Sequence, residues 1–177
     1  MDTKQLIQQC KQNEYSAQLE VYHAYKNMMF GAAVRIVKSR EEAEDIVQDC
    51  FIKAFKKIDQ LENDANLGGW LKRIVINKSL DVVRENNKIT WVEETNILEK
   101  EIEDEEEIKE EKISVDFVKR CINNLKEKYR VVLSLYLIED YNHREIGQLL
   151  NVNESTVRNQ FRRGKQQLLE LINSEKR

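Results

Sequence analysis

The sequence predicts an all-α protein made of two small helical domains, and three observations support this prediction. The 177 residues contain no proline and only five glycines, whereas β-sandwiches and barrels use both residues in their many turns. Asp, Glu, Lys and Arg make up 34% of the chain, which without helix breakers favours helices. Hydrophobic residues make up 41%, enough to bury a core, so wholesale disorder is not expected.

Cysteine usage and hydropathy predict a reduced, cytoplasmic protein. Cys10, Cys50 and Cys121 lie far apart, each among periodic apolar residues, where a free thiol packs as a small hydrophobe. The chain has two histidines and no Cys-x-x-Cys pair, so no metal site and no cofactor are expected. The first 20 residues do not read as a secretory signal, and no apolar run of about 18 residues is available for membrane insertion.

Charge divides the chain into three parts. Residues 93–112 contain eleven acidic and three basic groups, a net charge of −8, which the chain's total of −3 conceals. We therefore expect a first domain at 1–90, an acidic linker at 91–113 and a second domain at 114–177. The linker is interpreted first as a solvated spacer. The alternative is that its carboxylates mimic phosphates and cover a basic surface until nucleic acid arrives.

Apolar periodicity predicts a helix at 15–38 and a second helix after Ser39. Ser39 and Glu42 have the spacing of a capping box, which satisfies free amides at a helix start. The second helix buries one apolar face, and its other face is polar apart from one isoleucine: Glu41, Asp45, Gln48, Asp49, Ile52 and Lys56. That isoleucine indicates a partner surface, although a single exposed isoleucine is also ordinary.

A third helix is predicted at 70–85, after a break that contains Gly68 and Gly69. Its apolar face is formed by Leu71, Val75, Ile76, Val82 and Val83. The opposite face is formed by Trp70, Arg73, Asn77, Asp81 and Arg84. An indole among cations and an amide suits the stacking of unpaired bases. The alternative is that Trp70 folds back over the loop and covers the core.

The second domain is predicted to contain a helix-turn-helix. Ser114 caps a helix that runs towards Leu125, and another helix is expected at 129–137. Gly147, Asn151 and Val157 then supply the small, turn-forming and apolar residues of the motif. The outer face of its second helix is formed by Ser155, Arg158, Asn159, Arg162, Arg163 and Gln166. Arg and Asn suit base edges and phosphates, whereas a merely solvated basic face is the alternative.

Two segments resemble the extracytoplasmic-function group of bacterial RNA polymerase sigma factors, in the sigma-70 family. EEAEDIVQDCFIKAF (Glu41–Phe55), followed by GGWLKRIVINKSLDVVRE (Gly68–Glu85), resembles region 2 of that group. The segment from Leu125 to Leu168 resembles its winged-helix-like region 4, which commonly has Ala where Gly147 stands and Gly where Asn151 stands. The two matches keep the family's order and separation and cover most of the chain.

The resemblance implies a transcription initiation factor that binds core RNA polymerase, recognises −35 and −10 promoter elements and helps to open the strands. It implies contact with the β′ clamp and β flap of the polymerase, with promoter DNA and with a separately encoded anti-sigma factor. The family's core-binding helix matches at Asp45, Gln48 and Phe51. Because the helical wheel directs Phe51 inwards, the predicted core-polymerase contacts are Asp45, Gln48, Asp49 and Ile52.

The resemblance also implies two sets of DNA contacts. The expected −10 contacts are Trp70, Lys72, Arg73 and Asn77, which raises the stacking interpretation of Trp70 above the alternative. The expected −35 contacts are Ser155, Arg158, Asn159, Arg162 and Arg163.

One other function is left open, a stand-alone helix-turn-helix regulator that dimerises through residues 1–92. Such a protein binds a palindromic duplex tightly without polymerase. An enzyme is not predicted, because the sequence shows no Ser-His-Asp set, Cys-His pair, phosphate loop or metal-ligand cluster.

Overall fold

The computed structural model describes residues 2–62, 65–86 and 113–175, and all regular structure within these ranges is helical. The chain divides into two compact units, Met1–Lys88 and Ile89–Arg177. The acidic stretch at 93–112, with both interpretations of it, lies outside the described residues. None of the helices in the described ranges combines the length and apolar character needed to cross a membrane.

The first unit contains four α-helices and a short 3₁₀ turn within its described residues. These are α1 (Thr3–Lys11), α2 (Tyr15–Val37), α3 (Arg40–Lys57), the 3₁₀ turn (Ile58–Gln60) and α4 (Leu67–Glu85). Helix α2 packs against both α3 and α4, which also contact each other. The core between them is built from their apolar faces, including Val21, Met29, Ile46, Leu71 and Ile76, each at most 4% exposed.

The junction between α2 and α3 forms as its sequence predicts. Lys38 ends α2 in a left-handed conformation (φ 64°). Ser39 Oγ then accepts a hydrogen bond from the Glu42 backbone N–H at 3.2 Å, so Ser39 caps α3. Glu41 and Glu42 in the first turn and Lys56 and Lys57 in the last also complement the helix dipole.

Two features of the first unit differ from the sequence-based expectation. Helix α1 was not predicted, yet it buries Leu6, Ile7 and Cys10 at its contact with α2. Helix α4 begins at Leu67, three residues before the predicted start, because Asn66 caps it by accepting from the Gly69 N–H at 2.9 Å. Gly68 fits this first turn because it lies against α2, where an added Cβ would stand 3.0 Å from Tyr25 Cε1.

The second unit contains α5 (Val115–Asn123), α6 (Glu127–Leu137), α7 (His143–Leu150) and α8 (Glu154–Glu175) within residues 113–175. Ser114 caps α5, as predicted, by accepting from the Phe117 N–H at 3.2 Å. Helix α8 packs against the other three helices. The buried cluster consists of Cys121, Ile122, Leu125, Tyr129, Leu133, Leu168 and Ile172. Residues 113–175 include no strand, so the likeness to winged-helix domains is limited to the helices.

The predicted helix-turn-helix is formed by α7 and α8. Asn142 and Glu145 make a reciprocal capping box at the start of α7, with N···O distances of 2.9 and 2.8 Å. Asn151 ends α7 in the expected left-handed conformation, with φ 56°. Gly147 lies against the turn itself, because an added Cβ would stand 2.9 Å from the Val152 carbonyl oxygen. This close approach makes glycine fit better than the alanine common in the resembling family.

Candidate functional site

The first candidate surface is the outer face of α3. Asp45, Gln48 and Asp49 are all exposed, and Ile52, about one turn further along the helix, is 55% exposed. Phe51 is only 4% exposed and packs against Tyr22, with ring centroids 5.0 Å apart, which confirms it as a core residue. The helix therefore presents two carboxylates, one amide and one apolar side chain to solvent.

The second candidate surface lies on α4. Trp70 is half-buried, and the exposed Arg73 and Asn77 lie within about 60° of it around the helix. Lys72 is half-buried and lies about 160° from Trp70, so the structure does not bring it to the same face. Further along this face, Arg84 Nη1 bonds to Asp81 Oδ1 at 2.9 Å, which offsets part of its charge.

The third candidate surface is the outer face of α8, the second helix of the helix-turn-helix. Its five predicted residues share an arc of about 140°; all are exposed except Arg163, which is half-buried: Ser155, Arg158, Asn159, Arg162 and Arg163. The Cα of Val157 lies on the opposite side, and its side chain is fully buried. Four polar or cationic side chains thus point away from the core, at the helix that enters a groove in this motif.

The inner face of α8 explains why the outer face is held in this orientation. Gly164 lets α8 approach α6 closely, since an added Cβ would stand 3.1 Å from Tyr129 Cβ and Leu133 Cδ1. Leu168 and Ile172 continue the buried side towards the end of the helix. A Cβ at position 164 would require a neighbour on α6 to shift by a few tenths of an ångström, so glycine suits this close contact.

An ion pair that lies at the start of α8 was not predicted from the sequence. Glu154 Oε1 accepts from Arg158 Nη2 at 2.6 Å and from Arg158 Nε at 3.1 Å. The spacing of four residues along a helix is the signal that could have revealed the pair. Glu154 is the first residue of α8, where the positive end of the helix dipole also stabilises a carboxylate.

An aromatic cluster beside this ion pair was also missed. The His143 ring stacks on Tyr136 at 4.6 Å and meets Phe161 edge-on at 5.1 Å. Burial lowers the pKa of His143, Arg158 lowers it further, and Glu154 acts in the opposite direction. Among the described residues, its buried Nε2 has no hydrogen-bond partner. Burial therefore favours the neutral form of the imidazole, whose ring packs with Tyr136 of α6 and Phe161 of α8.

The three cysteines and Arg130 are buried, and their chemistry indicates a structural role. Cys10, Cys50 and Cys121 are free and buried, and burial raises the pKa of Cys50 to about 11, which disfavours a reactive thiolate. Arg130 is only 2% exposed, and burial lowers its pKa while Glu127 raises it. Within residues 2–62, 65–86 and 113–175, no three His, Cys, Asp or Glu side chains are grouped to hold a metal ion.

Comparison with protein-family models gives two matches in this chain. The model described as Sigma-70 region 2 matches residues 21–89, which include α3 and α4. The model described as Sigma-70, region 4 matches residues 118–168, which include α7 and most of α8.

Curated relatives extend over nearly the whole chain. The chain is 27% identical over 178 residues to the ECF RNA polymerase sigma factor SigW of Bacillus subtilis, covering 95% of each protein. It is 24% identical over 160 residues to the ECF sigma factor SigM of the same organism, covering 87% of this chain and 94% of SigM.

Solved structures share the fold. The chain resembles the sigma factor RpoE crystallised with the anti-sigma factor NepR from Bartonella quintana, with a TM-score of 0.55, 19% identity and coverage of 87% and 95%. It also resembles CnrH in complex with the cytosolic domain of CnrY, with a TM-score of 0.57, 18% identity and 97% coverage of each chain.

Proposed function

Because this chain belongs to the extracytoplasmic-function (ECF) group of the sigma-70 family, and so is a transcription initiation factor that directs RNA polymerase to promoters, we propose that its three surfaces divide this work. In this proposal, residues 1–90 bind core polymerase and the −10 element, 91–113 serve as a linker, and 114–177 bind the −35 element. The observation that carries the proposal is the outward Arg and Asn face of α8 in a helix-turn-helix.

The α3 surface is assigned to the β′ clamp of the polymerase. Asp45, Gln48 and Asp49 supply charge and hydrogen bonds, and the 55% exposed Ile52 supplies an apolar contact at one end of the surface. The second unit is assigned a further contact with the β flap. Both contacts hold the DNA-binding surfaces on one polymerase.

The α4 surface is assigned to the opened −10 element. Trp70 offers a stacking face for an unpaired base, with Asn77 beside it for hydrogen bonds and Arg73 for phosphate. Lys72 remains in the proposed set, as a contact to the DNA backbone from the opposite side of α4. Strand opening then costs a few kcal/mol of unstacking, which base capture offsets.

The α8 surface is assigned to the major groove of the −35 element. Arg158, Asn159 and Arg162 face outwards as candidate readers of base edges, and Ser155 and Arg163 flank them towards the phosphates. This arrangement needs no cofactor and no catalytic residue, so the chain acts as a specificity factor and not as an enzyme.

The proposal extends to location and regulation. The solved structure of RpoE contains the anti-sigma factor NepR, and that of CnrH contains the cytosolic domain of CnrY. We therefore expect a separately encoded anti-sigma factor for this chain, and we expect the chain to work in the cytoplasm, where polymerase and DNA are. A stand-alone regulator is not favoured, because a match to Sigma-70 region 2 is not expected of one.

One experiment tests the proposal. The purified chain is mixed with bacterial core RNA polymerase, and the 5′ ends of transcripts made from genomic DNA are mapped. We expect the chain to co-migrate with core enzyme and the start sites to share a bipartite upstream sequence. Absence of either result would contradict the proposed function.

A further inference from the structure

We propose that Glu154 is a positioning residue that holds Arg158 ready to read one guanine of the upstream element. The inference rests on the proposed function of α8 and adds to it a residue outside the set expected to contact DNA. Its basis is the ion pair at the start of α8, in which one carboxylate oxygen accepts two hydrogen bonds from the same guanidinium.

The geometry of the pair leaves the outer edge of Arg158 available. A guanidinium carries five N–H donors, of which Glu154 Oε1 engages one on Nε and one on Nη2. The remaining donors include one on each terminal nitrogen, directed away from Glu154. A fork of two terminal N–H groups matches the O6 and N7 acceptors of guanine in the major groove.

The location of the pair fits this role. Arg158 lies one turn into α8, at the part of the recognition helix that contacts bases in helix-turn-helix proteins. Its side chain is 66% exposed, so its outer edge is accessible to a ligand. Holding a long side chain in one rotamer before binding removes part of the entropy cost of recognition.

The net charge of the Glu154–Arg158 pair distinguishes base recognition from phosphate binding. Glu154 offsets the charge of Arg158, so the pair adds little attraction for DNA of arbitrary sequence. A carboxylate on a DNA-facing helix also repels phosphates. The pair should therefore increase discrimination between sequences while reducing affinity for DNA that lacks the matching guanine.

A simple contribution to helix stability is the competing explanation. Exposed pairs four residues apart stabilise helices only slightly, and Glu154 precedes Arg158 in the favourable order. Such a role predicts a change in thermal stability and no change in which base is preferred. Base discrimination is therefore the decisive measurement.

The experiment uses the full chain bound to core RNA polymerase and a promoter found by transcript mapping. Each guanine of the upstream element is replaced in turn by 7-deazaguanine, which lacks the N7 acceptor, and the loss of affinity is measured. The variants are R158A, E154A and E154Q, the last of which keeps an oxygen acceptor without the charge. E170Q is the control, since Glu170 is exposed on the same helix and accepts from Gln166 at 3.4 Å.

We expect 7-deazaguanine at one position to lower the affinity of the wild-type holoenzyme about tenfold. The same replacement should not change the affinity of R158A. In E154A, the same 7-deazaguanine replacement should lower affinity only about twofold, and sensitivity at the other guanines should not change. E154A should also bind DNA with a scrambled upstream element about twofold more tightly than the wild-type chain does. E154Q should also bind scrambled DNA more tightly but keep most of the discrimination. E170Q should keep all of it.

Two results would overturn the inference while leaving the proposed function intact. One is unchanged base discrimination in E154A, and the other is a promoter in which no guanine depends on Arg158. If the wild-type holoenzyme shows no dependence on any upstream base, the proposed function of α8 fails instead. The two failures are therefore distinguishable in a single data set.

Discussion

At the scale of single residues, Arg162 separates promoter reading from polymerase binding. It is exposed on the outer face of α8, two turns from the start of the helix. We expect R162A to lower transcription from promoters that depend on the upstream element by about tenfold, because one base contact is lost. Affinity for core polymerase, measured by fluorescence anisotropy, should not change.

A matched control for R162A is R120A. Arg120 is also exposed in the second unit, where its guanidinium lies 5.8 Å from the Phe117 ring centroid, but it belongs to α5. This variant loses the same charge and should retain dependence on the upstream element. Loss of core binding in R162A would mean that the outer face of α8 contacts protein and not DNA.

We expect His143 to make the stability of the second unit depend on pH. Its pKa is lowered in the folded state, chiefly by burial, so below about pH 6.5 the unfolded chain binds more protons than the folded chain. Stability is therefore complete above that pH and is lost as the pH falls through the lowered pKa. H143F keeps the ring stacked between Tyr136 and Phe161 and removes the titration.

The measurement is the free energy of unfolding of the full chain by urea at about pH 7.5 and pH 5. We expect the wild-type chain to lose more stability than H143F over this interval, with the difference in the transition of the second unit. His23, on the exposed side of α2, provides the comparison through H23F. Equal losses in wild type and H143F would show that the imidazole does not titrate against folding.

At the scale of the element, α3 has two faces whose adjacent residues should behave in opposite ways. Phe51 is 4% exposed and Ile52 is 55% exposed. F51A should lower the free energy of unfolding by about 3–5 kcal/mol, because it leaves a cavity against Tyr22 and Phe55. I52S should leave stability nearly unchanged and weaken binding to core polymerase several-fold.

These two variants are compared by thermal unfolding and by core-binding titration. Exposed Lys53 supplies the control variant K53A, which lies on α3 beside Ile52 but outside the proposed contact set. If I52S binds core as well as K53A does, the proposed polymerase surface is on another face.

The elements that were predicted correctly share one property, a regular apolar stripe long enough to define a helical period. Helices α2, α3 and α8 have it, and their buried faces follow from the sequence, apart from Leu19 of α2, which is 40% exposed. Helix α1 was missed because only Leu6, Ile7 and Cys10 among its nine residues are apolar, so its folding depends on packing against its neighbours. The start of α4 was predicted too late because Gly68 and Gly69 are typical of a loop, whereas in the structure Asn66 caps the helix that contains them.

The candidate site was predictable as a set of faces but not as a set of contacts. The outward direction of Arg158 follows from helical period, whereas its bond to Glu154 depends on side-chain rotamers that the period does not determine. The buried Arg130 was missed for a related reason, since a charged residue is expected at the surface. Its environment is set by how α6 packs among the other helices.

At the scale of the whole molecule, two modules with modest charge are expected to cooperate only on the polymerase. Net charges of +1 for residues 1–92 and +4 for residues 113–177 provide little phosphate neutralisation in either part. Core polymerase gains affinity by holding both modules near one promoter, so that the second contact forms at a high effective concentration. We expect holoenzyme to bind promoter DNA at least about a hundredfold more tightly than the free chain.

That comparison is made by anisotropy with labelled duplex at one fixed salt concentration, because salt changes all such affinities. Core polymerase without the chain is the control for binding by the enzyme itself. Tight binding of the free chain to a palindromic duplex would contradict the prediction and favour a stand-alone regulator.

The distribution of the buried thiols makes the opening of each unit separately measurable in the intact chain. Cys10 and Cys50 belong to the first unit and Cys121 to the second, and all three are covered in the folded protein. Alkylation requires an accessible thiolate, so modification must wait for local or global opening. Mass spectrometry of the two sets of peptides after timed exposure to iodoacetamide would therefore yield two opening rates, and a ligand that slows only one of them reveals which unit it holds.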